Sequence, residues 1–148
     1  MKAIIITSIL TVLLSVSTLY ARESNNKVLV NQETTEFGLI KEYTSLDQVT
    51  TEPLYKVVYI YNVAGELQEK ISYTWAAKIG WTGSQKYEYE YNRKGQIANL
   101  IFTEWNEKLD NWSLKSQHIM HIYNGDGSFL ATKKIEVNNA DDYLVSIK

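Results

Sequence analysis

Two glutamates on one predicted strand, Glu88 and Glu90, have a spacing that acid–base catalysis could use. Residues two apart on a strand share a face, which places these carboxylates roughly 6.5–7 Å apart. Glycosidases pair carboxylates at such separations. The pair is not repeated along the chain, and Lys86 and Arg93 lie close to it, so a solvated face with cross-strand ion pairs is the simpler interpretation. We predict no catalytic residue; the alternative is a glycan-acting hydrolase using Glu88/Glu90 or Glu104 as acid and base.

The two histidines, His118 and His121, are the only imidazole candidates for a metal site. They lie three apart on a predicted strand, so they point to opposite faces of the sheet and cannot bind one metal ion. The chain has no cysteine, which excludes disulfides, thiolate metal sites and a cysteine nucleophile. We therefore predict neither a metal site nor a cofactor.

The four tryptophans are the candidate binding residues. Trp75 and Trp105 are each expected to end a strand on the aromatic face of the sheet. Trp81 and Trp112 open the following strands, after loops at 76–80 and 106–111. An exposed indole offers a flat apolar surface on which a sugar ring can stack. The alternative is that Trp81 and Trp112 fold down and cap the end of the sheet. The candidate partner is a polysaccharide or an envelope protein.

The first segment of the chain predicts export. Lys2 precedes an apolar stretch at 3–19, and a polar run follows at 22–26. This layout is typical of a secretory signal peptide cleaved after Ala21, with a retained membrane anchor as the alternative. We expect no stable membrane insertion after its removal. The formal net charge is −2 without a cluster of basic residues, so we predict no nucleic-acid binding.

An internal repeat organises the rest of the chain. The step Tyr-Asn recurs at 61–62, 91–92 and 123–124, each time with glycine three residues after the asparagine. Alternating β-branched and aromatic residues precede each step, which indicates a strand. Asn-x-x-Gly favours a type I turn closed by a left-handed glycine, with a bulge beside it. Each unit is therefore predicted to be a β-hairpin.

The predicted fold is all-β: an antiparallel meander of three β-hairpin repeats in a twisted or rolled sheet. The repeat domain spans 54–148 and ends in a strand at 143–147. A polar lead-in at 22–53 supplies one or two strands, at 28–30 and 37–43, and terminal strands are expected to cover part of one face. Positions 57, 59, 61, 71, 73 and 75 are all assigned to the aromatic face, with Glu88 and Glu90 on the other.

The string Tyr-Asn-x-x-Gly-x-Leu resembles the Tyr-Asp-x-x-Gly-x-Leu core of the YD-type repeats in large exported bacterial shell proteins. Over roughly 54–137 the chain is more similar to small exported Bacteroides-type proteins of a family of unknown function, which share the Tyr/Trp hairpin repeat. This resemblance implies an all-β repeat fold and brings no catalytic residue. The interpretation is an exported, non-enzymatic module for binding or scaffolding at the cell envelope.

Overall fold

The structure is a computed structural model that describes residues 26–138. The predicted signal peptide at 1–21 and the predicted last strand at 143–147 lie outside the described residues.

Eight antiparallel strands form one sheet in the order of the sequence. They are β1 Asn26–Thr35, β2 Gly38–Asp47, β3 Pro53–Asn62, β4 Leu67–Ala76, β5 Gly80–Tyr91, β6 Ile97–Asn106, β7 Asn111–Tyr123 and β8 Phe129–Asn138. The described residues contain no helix. The predicted all-β antiparallel meander is confirmed. Among residues 26–138, β1 and β8 each pair on one side only, so the described sheet is open. Both lead-in strands join its edge as β1 and β2 instead of covering a face.

The three repeat hairpins are β3–β4, β5–β6 and β7–β8, and each has the same type of turn. In the first, the amide of Gly65 donates to the carbonyl of Asn62 at 2.9 Å, and the amide of Asn62 donates to the carbonyl of Glu66 at 2.9 Å. Oδ1 of Asn62 accepts from the amide of Glu66 at 2.9 Å, and Gly65 has φ +81°. The turns at 92–96 and 124–128 repeat this pattern. The predicted asparagine cap and left-handed glycine are confirmed.

A bulge beside each turn decides which side chains share a face. Tyr61 lies opposite Leu67 but Ile60 lies opposite Glu69, so Gln68 is an extra residue in β4. One extra residue turns all later side chains of the strand to the other face. Tyr59 therefore shares its face with Lys70. Equivalent shifts follow Tyr91 and Tyr123 in the other two hairpins.

The prediction of one common aromatic face is therefore wrong. Positions 57, 59 and 61 lie on one face, and positions 71, 73 and 75 lie on the other. We call the first the Tyr face; its tyrosines include Tyr43, Tyr59, Tyr61, Tyr87, Tyr89, Tyr91 and Tyr123. We call the second the Trp face; it carries Trp75, Trp81, Trp105 and Trp112. Glu88 and Glu90 lie on the Trp face, because in the strand ladder Glu88 lies opposite Glu69 and Glu90 lies opposite Asn99. The two glutamates lie opposite the tyrosines, as predicted, but they share a face with the tryptophans, and that part of the prediction is wrong.

The single layer leaves little fully buried apolar surface. Among residues 26–138 the buried hydrophobic side chains are Val57 and Tyr59, which are 8% and 5% exposed. Tyr59 meets Tyr43 edge-on at 5.7 Å, and the Lys70 ammonium lies 6.0 Å from the centre of its ring. A long side chain such as Lys70 covers apolar neighbours with its methylene stem while its charged end stays near water. Contacts between adjacent strands thus supply the packing that a second layer supplies in sandwiches.

In the second and third repeats, the tyrosine that precedes the asparagine also ties neighbouring hairpins together. The hydroxyl of Tyr91 donates to the carbonyl of Leu67 at 2.8 Å. In the next unit the hydroxyl of Tyr123 donates to the carbonyl of Ile97, also at 2.8 Å. Each bond runs from one hairpin to the strand that begins after the preceding turn. The Tyr of Tyr-Asn is thus a connection between units as well as a sheet residue.

Replacing Tyr91 or Tyr123 with phenylalanine should lower the free energy of unfolding by about 1 kcal/mol each, because a part-buried carbonyl loses one hydrogen bond. Urea unfolding followed by fluorescence measures the change. The matched control is Tyr87→Phe, since the Tyr87 hydroxyl has no hydrogen-bond partner recorded within residues 26–138. Equal losses in all three variants would contradict the proposed connection.

Candidate functional site

The four tryptophans lie on the Trp face at the end of the sheet opposite the repeat turns. β4 ends and β5 begins around the loop at 77–79, and the register sets Trp75 opposite Trp81. β6 and β7 meet around the loop at 107–110, and there Trp105 lies opposite Trp112. The two connecting loops fall where the sequence predicts them. The candidate site is therefore a row of two cross-strand tryptophan pairs, which we call the Trp row.

Each pair packs edge to face. The ring centres of Trp75 and Trp81 are 5.1 Å apart with an interplanar angle of 66°. Those of Trp105 and Trp112 are 5.2 Å apart at 88°. All four side chains are half-buried. Trp81 and Trp112 are thus neither free platforms nor fully covered caps. One part of each indole packs on its partner while another part reaches solvent, which is how tryptophan commonly serves in a binding surface.

A glycine joins the two pairs into one row. Gly83 of β5 lies under Trp105, and a Cβ atom built there would overlap Cε3 of the indole and stand 2.9 Å from Cδ2. No residue with a side chain fits at this position without displacing the ring. The indole Nε1 of Trp105 is buried and finds no hydrogen-bond acceptor within residues 26–138. Packing against Gly83 and Trp112 therefore sets the position of Trp105.

Two lysines accompany the Trp row at equivalent places of the repeat. Lys56 lies 5.0 Å from the ring centre of Trp81, and Lys86 lies 5.8 Å from that of Trp112. Carboxylates neutralise both: Lys56 pairs with Glu42 at 3.3 Å and Lys86 with Glu88 at 3.0 Å. The sequence interpretation missed this relation. The signal was present, since each lysine stands three residues before the first tyrosine of its motif.

The third unit places His118 where the first two have lysine. His118 and His121 lie on opposite faces, as predicted, because they pair with Ile135 and Thr132 along an unbroken ladder. His121 lies on the Tyr face, where Nδ1 is 3.1 Å from the carbonyl of Ile97. No group of three or more His, Asp or Glu side chains suited to a metal ion occurs in the described part of the chain.

A serine–histidine contact on the Trp face has the outward form of a nucleophile and its base. Nε2 of His118 is 3.1 Å from Oγ of Ser116, and Nδ1 is 3.1 Å from Nδ2 of Asn99. The same Asn99 amide donates to Glu90 at 3.0 Å, which fixes its orientation. In the uncharged imidazole, Nδ1 of His118 then accepts a hydrogen bond from Asn99 and Nε2 carries the hydrogen, so Nε2 cannot take the proton of Ser116. Ser116 is also only 5% exposed. The Ser116–His118 contact is a part-buried polar link within β7, and Asn99 joins it to β6.

Of the three carboxylates in the hydrolase alternative, Glu88 and Glu90 share a face and Glu104 lies apart from them. Glu104 lies on the Tyr face, opposite Gln85, while Glu88 and Glu90 lie on the Trp face. Glu88 stands level with Glu69, six residues from Trp75 along β4. That is about 20 Å along the strand from the first tryptophan pair.

The centre of the Tyr face is shielded from water. Burial, aided by neighbouring tyrosines, raises the pKa of Tyr89 to about 12. Burial also lowers the pKa of Lys70, whose ammonium lies 5.7 Å from the ring centre of Tyr87. Both shifts come mainly from loss of hydration, so the centre of this face is partly desolvated and serves packing between strands.

Within residues 26–138 there is no helical segment of the length and apolar character needed to cross a bilayer.

Comparison with known proteins finds similarity to solved structures. No protein-family model matches the chain, and no curated protein matches it. A DUF3836 family protein from Parabacteroides distasonis is 14% identical with a TM-score of 0.43, covering 82% of this chain and 98% of that one. A protein with unknown function from Bacteroides fragilis is 13% identical with a TM-score of 0.46, covering 79% of this chain and 86% of that one.

Both similar structures come from Bacteroidetes, and neither has an established function. The relation to YD-type repeats stays a prediction.

Proposed function

We propose that this protein is an exported, non-enzymatic module that binds carbohydrate at the cell envelope through the Trp row. The observation that carries the proposal is the gathering of four half-buried tryptophans on one face at one end of the sheet. Partly exposed indoles bind the apolar faces of sugar rings, and their polar N–H edges suit a wet surface. Export rests on the signal-peptide pattern of the first residues. Membership of the small Bacteroides-type family is part of the same proposal.

The charges beside the Trp row favour a neutral glycan. The ammonium groups nearest the row, those of Lys56 and Lys86, are already paired with Glu42 and Glu88. An acidic polysaccharide would have to displace a carboxylate from each lysine. A basic polysaccharide would meet these lysines, which carry the same charge as it does. The two tryptophan pairs lie two strands apart, or about 9.5 Å at the usual strand spacing. A neutral chain crossing the strands could therefore contact both pairs at once.

The geometry favours binding over hydrolysis. Glycosidases place an acid and a second carboxylate on either side of one scissile bond. Here Glu104 lies on the opposite face from Glu88 and Glu90, and Glu88 is engaged by Lys86. Glycan turnover that disappears in Glu88→Gln would overturn the non-enzymatic proposal.

Replacing Trp81 and Trp112 with alanine tests the proposal. Each single variant should weaken retention on a neutral polysaccharide by about two- to tenfold, since an aromatic contact is worth ~0.5–1.5 kcal/mol. The double variant should lose retention. Affinity electrophoresis against several neutral polysaccharides measures the effect, and a glycan array identifies the sugar.

The matched control is Phe129→Ala, which removes a 58% exposed aromatic residue from the opposite face. It should leave retention unchanged. Far-ultraviolet circular dichroism checks that every variant keeps its strands. If the folded double variant is retained as well as the parent chain, the Trp row is not the binding surface.

A further inference from the structure

The outer edge of β1 is long, regular and apolar at its centre. Val28, Leu29 and Val30 are 54%, 46% and 62% exposed. All ten residues of β1 pair with β2 without a register shift, so its outer edge has the regular spacing of an unbroken strand. Every second residue of such an edge directs its N–H and C=O groups to solvent, where another strand can pair with them.

The opposite edge of the sheet is protected. β8 carries Lys133 and Lys134 next to each other, one on each face. Lysines at the middle of an edge strand are a common device against pairing with another chain. The hairpin that holds β8 also contains a bulge, after Ile122. β1 has neither feature: its charged residues are Lys27 and Glu33, on either side of the apolar centre.

We propose that β1 pairs antiparallel with β1 of a second copy of this chain, about a two-fold axis at Val30. In this register Lys27 lies opposite Glu33 of the partner subunit, and the symmetry repeats the contact. Lys27 and Glu33 project from the same face, since Lys27 pairs with Leu46 and Glu33 with Ile40. Neither has an ion-pair partner recorded within residues 26–138. Both charges are therefore available for the second copy.

Other registers lose this match. In the proposed register the numbers of two facing residues add up to 60. A register one residue away would set residues of opposite faces against each other, which a two-fold axis normal to the sheet does not permit. A register two residues away would place Lys27 opposite Asn31 or Thr35 of the partner subunit and remove both ion pairs. Charge complementarity thus selects the register centred on Val30. The product is a closed dimer with one continuous sixteen-stranded sheet, and it is independent of what the Trp row binds.

Reversing the charge of one residue, and then exchanging the charges of Lys27 and Glu33, tests the dimer. Analytical ultracentrifugation of the purified protein over a concentration series should show a monomer–dimer equilibrium. Lys27→Glu should raise the dissociation constant by about tenfold or more, because two attractive cross-strand pairs become repulsive. Glu33→Lys should do the same. The exchange variant Lys27→Glu/Glu33→Lys should return the constant to within about threefold of the parent value, since the pairs are restored in reverse.

Lys133→Glu on β8 is the matched control and should leave the equilibrium unchanged. A chain that stays monomeric throughout the series would overturn the proposal. So would an exchange variant that stays as weak as the single reversals. Species that grow beyond a dimer, and that Lys133→Glu alters, would indicate β1–β8 contacts between copies and would equally overturn it.

Discussion

Replacing Gly38 with alanine should destabilise the sheet by about 4 kcal/mol or more, one of the largest effects expected of any single methyl group in this chain. Gly38 begins β2 at φ +141°. A Cβ atom there would overlap the carbonyl oxygen of Tyr61 and stand 2.7 Å from the carbonyl carbon of Asn62. Both contacts are to backbone, which cannot rotate away as a side chain can. Relief requires β2 to part from β3 beside the first repeat turn.

Gly65→Ala separates the steric effect from the conformational one. Gly65 also has positive φ, at +81°, but a Cβ atom there would meet nothing within 4 Å. Alanine at this position should cost only the left-handed conformation, about 1–2 kcal/mol. Urea unfolding and limited proteolysis compare the two variants, and the β1–β2 hairpin should become protease-sensitive only in Gly38→Ala. Equal losses would show that Tyr61 is free to move.

Replacing Gly83 with alanine should both destabilise the protein and disorganise the Trp row. The added methyl group enters the space of the Trp105 indole, and Trp112 packs against that ring at 5.2 Å. Overpacking of this kind costs about 1–3 kcal/mol. Near-ultraviolet circular dichroism should lose the signal of the coupled indoles, and retention on polysaccharide should fall if the Trp row binds it.

A second substitution identifies the cause. In Gly83→Ala/Trp105→Leu the smaller side chain leaves room for the methyl group, so the two changes should cost less together than their sum. Gly125→Ala is the control, since Gly125 has open space within 4 Å, and it should be close to neutral. Additive losses in the double variant would contradict the contact between Gly83 and Trp105.

These expectations follow from a sheet that has no second layer among its described residues. Stability resides in pairs of neighbouring strands, as in repeat proteins, where each unit contacts only its neighbours. A substitution that disturbs the contact between β2 and β3 should therefore affect a different part of the sheet from one that disturbs the contact between β5 and β6. The Gly38 and Gly83 variants probe these two places.

Features that depend on a few consecutive residues could be predicted from the sequence. Asn-x-x-Gly specifies its turn because the asparagine side chain caps the backbone of the same loop, as Asn62 does, and Gly65 takes the positive φ. Strand alternation and the loops at 76–80 and 106–111 are local in the same sense. The opposite orientation of His118 and His121 follows from strand period alone.

The face of the sheet on which the tryptophans lie is set by the tertiary structure. One extra residue, Gln68, reverses the orientation of β4 relative to β3, and so moves Trp75 from the face of Tyr59 to the other one. Alternation within a strand does not reveal such a bulge, because the bulge depends on how two strands pair. The same holds for the fit of Trp105 on Gly83 and of Lys56 on Trp81. The Trp row is therefore a product of register, which the sequence encodes only through contacts between distant residues.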